Sequence, residues 1–140
     1  YAHSQSQAGN AANAGSVTMT ANAITTQAIW AYSNRYGAGI GSSGNGGTIN
    51  LQATTGNLST QSLNSYSQTN SGTAGNAGSI TANAAGSFTT NNSGITARSR
   101  SNSNGASGNG GQVDITATSV STGTGSIESY SSRYGTGTFN

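Results

Sequence analysis

Apolar and polar residues alternate along this chain in short runs, and the runs return at a nearly fixed interval. One kind of run reads SVTMTA at 16–21, TINLQA at 48–53, SITANA at 79–84 and QVDITA at 112–117. Its apolar column is Val17, Ile49, Ile80 and Val113, followed two residues later by Met19, Leu51, Ala82 and Ile115. Two further on, every run has alanine: Ala21, Ala53, Ala84 and Ala117. A period of two marks a strand with one buried face. The alanine column predicts an inward position at a tight corner. A second, shorter run starts at Ile24, Leu58, Phe88 and Val120 and ends at Thr26, Thr60, Thr90 and Thr122. A third starts at Ile29, Leu63, Ile95 and Ile127 and closes on Ser33, Ser67, Ser99 and Ser131. The opening residues fit the third run, with Ala2 and Ser4 in register.

Between the third run and the next first run comes a corner of the form Asn-Ala/Gly-Gly. It begins at Asn13, Asn45, Asn76 and Asn109, and its closing glycines are 32, 31 and 33 residues apart. Three short strands per repeat at this period predict an all-β parallel β-helix (β-solenoid) of about four coils. The repeats start near 13, 45, 76 and 109, and a partial coil occupies 1–12. One coil cannot bury its own apolar face, but stacked coils bury a continuous one. Residues 1–140 are read as a single such segment, expected to be part of a longer or polymerising chain.

Composition sharpens this picture. Ile, Leu, Val and Phe together make only 16 of 140 residues, glycine is 22, proline and cysteine are absent, and 4% of residues are charged. So few large hydrophobes cannot fill a thick core, and a thin interior must rely on backbone hydrogen bonds and stacked small side chains. Stacking also explains the avoidance of charge. A charged column would bring like charges roughly 4.8 Å apart, at about 1 kcal/mol per pair in water and about 3.5 kcal/mol at an effective dielectric near 20. Asparagine columns can instead pass amide hydrogen bonds from coil to coil, and Ser and Thr columns can do the same with hydroxyls. An interior ladder strand cannot lose a donor to proline.

At GNGGTINLQA (44–53), GNAGSIT (75–81) and GNGGQVDITA (108–117) the sequence resembles the degenerate repeats of filamentous-haemagglutinin-like proteins, the bacterial surface adhesins of two-partner secretion systems. The resemblance covers nearly the whole chain. It implies a right-handed solenoid, a hand that the usual parallel-crossover preference also favours. It further implies secretion to the cell surface and a role as an extended stalk or adhesive fibre. The amino-terminal secretion domain of that family is not in this sequence.

Candidate chemistry is sparse. Asp114 and Glu128 are the sole carboxylates and fall in outward columns of different strands, which argues against a catalytic pair. His3 is the single histidine, one aspartate cannot supply calcium ligands to every coil, and no lysine stands in the glycine-rich corners, which read as corners and not as phosphate loops. No enzyme activity, cofactor or metal is expected. Four arginines are too few for nucleic acid, and no apolar run reaches membrane-spanning length. Ice binding fares poorly because the threonine column should face inward.

The outward face of the third run is the best candidate surface. It carries Trp30 in one column and His3, Tyr32, Tyr66, Arg98 and Tyr130 in the next. Such a strip can stabilise the ladder, pack against another fibre or dock host or matrix glycans. In addition, YSNRYGAG at 32–39 recurs as YSSRYGTG at 130–137, which predicts one loop ridge bearing Arg35, Tyr36, Arg133 and Tyr134 as lateral contacts. The function expected is a non-catalytic, structural or adhesive segment of an extracellular fibre, with self-association or continuation of the same solenoid. A carbohydrate-binding module is the alternative.

Overall fold

A computed structural model describes residues 1–91 and 93–135. Among these there are thirteen strands, numbered in chain order, and no helix. The first-run strands β2 (Val17–Ala21), β5 (Ile49–Ala53), β8 (Ile80–Ala84) and β11 (Val113–Thr116) form one parallel sheet. The second-run strands β3 (Ile24–Thr25), β6 (Leu58–Thr60), β9 (Ser87–Thr90) and β12 (Ser119–Ser121) form another. The third sheet joins β1 (Ala2–Ser6), β4 (Ile29–Arg35), β7 (Leu63–Thr69), β10 (Ile95–Ser101) and β13 (Ile127–Arg133). Every pairing joins strands one coil apart, which is the stacking of a solenoid of about four turns.

The register follows the sequence columns. Ile49 pairs with Val17 and Ile80, Leu58 with Ile24 and Phe88, and Leu63 with Ile29 and Ile95. A one-residue slip would turn each of these side chains outward, so the buried face fixes the register. Ile49, Leu51, Leu58, Leu63, Ile80, Phe88 and Ile95 are fully buried and make one narrow core. Ala53 and Ala84 lie inward as expected.

The glycine-rich stretches are more than corners. Glycines 41, 44 and 47 recur as 72, 75 and 78 and as 105, 108 and 111. Within each stretch these glycines stand three residues apart. The hydrogen bonds between coils keep the same period: Ser43, Gly46 and Ile49 donate their N–H groups to the carbonyls of Thr73, Asn76 and Ser79. Glycine is needed because the coils approach closely here. A β-carbon at Gly75 would lie 2.6 Å from the carbonyl oxygen of Gly44, and one at Gly108 the same distance from that of Gly75. Each coil therefore has three β-strands and a fourth, extended glycine-rich side.

This fourth side packs against the inner face of the third sheet. Ser65, Ser67 and Thr69 donate to the carbonyls of Gly47, Gly44 and Gly41, at 2.6, 2.7 and 3.1 Å. Hydroxyls are useful here because an aliphatic side chain would leave those carbonyls buried and unpaired. The solenoid thus has an apolar half, between the first two sheets and the start of the third, and a polar half.

Candidate functional site

The third sheet sets the outward column His3, Tyr32, Tyr66, Arg98 and Tyr130 in register, one residue per coil. His3 stacks on Tyr32 with centroids 5.2 Å apart, and Tyr32 stacks on Tyr66 at 4.7 Å and 3°. The Arg98 guanidinium continues the stack, 5.1 Å from the Tyr66 centroid, and its Nη1 donates to the Tyr130 hydroxyl at 3.5 Å. Trp30, in the neighbouring column, stands edge-on to Tyr32 and Tyr66 at 6.4 and 6.1 Å. The strand spacing brings about this stacking: parallel in-register pairing sets like rings one above another at the ladder repeat.

The electrostatics follow from that packing. Tyr66 is 9% exposed. Burial, with the Tyr32 hydroxyl beside it, pushes its phenol up to about 12, although Arg98 pulls the other way. Burial raises Tyr32 as well, and the Gln5 amide partly offsets this by donating to its hydroxyl at 2.7 Å. Both phenols stay neutral well past ordinary pH. Tyr32 has His3 on one face and Tyr66 on the other, and Tyr66 lies between Tyr32 and Arg98. The faces a sugar ring would use are taken by neighbouring groups.

The repeated Arg-Tyr-Gly motif departs from expectation. Arg35 does not join an outer ridge: it is 1% exposed and continues the inward column of Ser6, Thr69, Ser101 and Arg133. Its Nε donates to the Gly9 carbonyl at 3.2 Å, and its Nη1 to the Ser71 hydroxyl at 2.9 Å and to the Gly37 carbonyl. The even spacing from Ile29 through Ala31 and Ser33 already assigned Arg35 to the inner face. The glycines that follow make room for it, since a β-carbon at Gly41 would lie 2.7 Å from Nε. Arg35 is therefore unavailable as a lateral contact, and the loop at 36–41 is folded around its guanidinium.

Arg133 occupies the same inward column and is half-buried. The two tyrosines of the motif differ in setting. Tyr36 is half-buried, and its N–H donates to the Ser6 carbonyl at 3.1 Å, whereas Tyr134 is exposed. Residues 136 and 137, the end of the second copy of the motif, lie outside the described residues. The sequence did not reveal that Arg100 lies over the Tyr134 ring, 4.5 Å from its centroid. The available signal was the outward column Gln5, Asn34, Gln68, Arg100 and Ser132, two residues along from the tyrosines.

The polar ladders hold the coils together by a different route from the one expected. The asparagine amides do not bond to one another along the corner column. Instead, Asn13, Asn45 and Asn76 accept through Oδ1 from the backbone N–H of Asn45, Asn76 and Asn109, at 2.8, 2.9 and 2.9 Å. The serine column does not run hydroxyl to hydroxyl along the axis either. Ser33, Ser67 and Ser99 donate across the interior to the carbonyls of Ala12, Gly44 and Gly75, and Ser131 meets the Ser107 hydroxyl at 2.7 Å. Thr60 and Thr90 are buried, and Thr26 and Thr122 are half-buried. Thr60 donates to the Gln27 carbonyl at 2.9 Å.

The two carboxylates sit on different sheets. Asp114 accepts from Gln112 at 2.8 Å and Glu128 from Ser126 at 2.6 Å. The molecule belongs to the class of parallel β-solenoid repeat proteins, with an aromatic and cationic stack on one outer face. No protein family, curated protein or solved structure matches the chain.

Proposed function

We propose that this chain is a non-catalytic structural segment of an extracellular or cell-surface fibre built from stacked β-coils. The observation that carries the reading is the coil-to-coil repetition of contacts. The same columns, the same Asn-to-backbone bonds and the same glycine close approaches recur from coil to coil, so the architecture lengthens by adding like coils. The resemblance of GNGGTINLQA and GNGGQVDITA to haemagglutinin-like repeats supports secretion and an adhesive role.

The test is electron cryo-microscopy of material isolated without refolding. Filaments with an axial repeat of roughly 4.8 Å are the expected outcome; discrete short particles would overturn the fibre reading. The carbohydrate-binding alternative is weaker, because Tyr32 and Tyr66 spend both ring faces on their neighbours. It would be revived by glycan binding that is lost in Trp30→Ala while the fold persists.

A further inference from the structure

Nothing in this chain can form the usual covalent ties between coils. It has no cysteine for a disulfide and no lysine for an isopeptide bond. It does have six tyrosines. Tyr32 and Tyr66 are partners on adjacent strands, and theirs is the one tyrosine–tyrosine stack among the described residues, 4.7 Å between centroids and 3° from parallel. We propose that Tyr32 and Tyr66 are an oxidative cross-linking site, joined ring to ring by a carbon–carbon bond ortho to the two hydroxyls.

Each phenol gives up one electron and one proton and becomes a phenoxyl radical with spin on its ortho carbons. Two ortho carbons couple, and the hydrogen on each bonded carbon then moves to the oxygen, restoring both phenols. The pair loses two electrons and two protons in all. A peroxide acting through a haem peroxidase takes up both electrons and both protons and leaves as two waters.

Two features favour this pair. The ladder register keeps one ring above the other, so coupling is intramolecular and needs only a tilt of both rings. Trp30 is partly exposed and edge-on to both rings, which gives an oxidising equivalent a route to buried Tyr66. The product would staple two successive coils. Its formation requires only the stack, and so does not depend on whether the coils continue into a fibre.

The experiment illuminates the folded chain with tris(bipyridine)ruthenium(II) and persulfate, which takes up the two electrons as two sulfates while the protons pass to solvent. Cleavage after arginine separates Tyr32, in 1–35, from Tyr66, in 36–98. The expected product, from monomer-sized material, is these two peptides joined through Tyr32 and Tyr66, lighter than their sum by two hydrogens. Tyr66→Phe should abolish it and Tyr134→Phe should leave it unchanged. Cross-links dominated by Tyr1, Tyr36 or Tyr134, or found mainly between molecules, would overturn the proposal. So would an equal yield of the Tyr32–Tyr66 product from the chain unfolded in urea, a comparison that needs no variant.

Discussion

A β-carbon at Gly78 would fall on the carbonyl oxygen of Gly47, and that backbone cannot yield even if the Ser65 hydroxyl, 2.7 Å away, moves aside. Gly78→Ala is therefore expected to lower stability by on the order of 2–3 kcal/mol, read as a fall in the urea midpoint. Gly9 makes the useful contrast. Its β-carbon would meet nothing within 4 Å, but its φ is 73°. Gly9→Ala should cost about 1–2 kcal/mol from backbone strain alone. Tyr66 gives a pH prediction. Its folded-state value, about 12, lies above the ordinary phenol value of 10.0, so the native state holds the phenolic proton more tightly than the unfolded chain. That stability is full below about pH 10 and is lost as the pH rises toward about 12. The unfolding midpoint of the parent should fall across that window more steeply than that of Tyr66→Phe.

At the scale of the element, the asparagine corner can be tested directly. Asn45→Ala removes the acceptor of the Asn76 N–H and leaves the bond from its own N–H to Asn13. A loss of about 1 kcal/mol is expected, with faster hydrogen exchange at the Asn76 amide. The strands themselves were legible, because alternation at Val17 and Met19, Ile49 and Leu51, and Val113 and Ile115 encodes both the strand and its buried face. The fourth side was not. Alternation has a period of two, and the glycine stretches have a period of three with no apolar residue larger than alanine to mark it, so hydrophobic pattern alone shows only a corner. Arg35 was misplaced for a related reason. Charge suggested the surface, while its parity with Ile29, Ala31 and Ser33 assigned it to the inner face. The column won because carbonyls and a hydroxyl receive the guanidinium there. The aromatic column was legible as a register, but ring orientation was not, since alternation says which way a side chain points and not how rings meet.

For the whole molecule, protection should grade along the axis. In β5, β7, β8 and β10 the inward columns are buried, whereas Val120 on β12 and Ile127 on β13 are 48% and 49% exposed and Met19 on β2 is 38% exposed. Each coil draws its stability from its neighbours. Native-state hydrogen exchange of this chain is expected to be slowest in β5–β10 and fastest in β11–β13; uniform protection would mean the coils unfold as one unit. The fourth side has a mechanical consequence. Three sheets alone would make an open channel, which bends and twists easily because one side carries no load. The glycine-rich side is bonded coil to coil along the axis and tied across the interior by serine and threonine hydroxyls, so the section is closed. A closed tube must stretch one wall and compress the opposite wall to bend in any direction, which makes the solenoid a stiff rod rather than a ribbon.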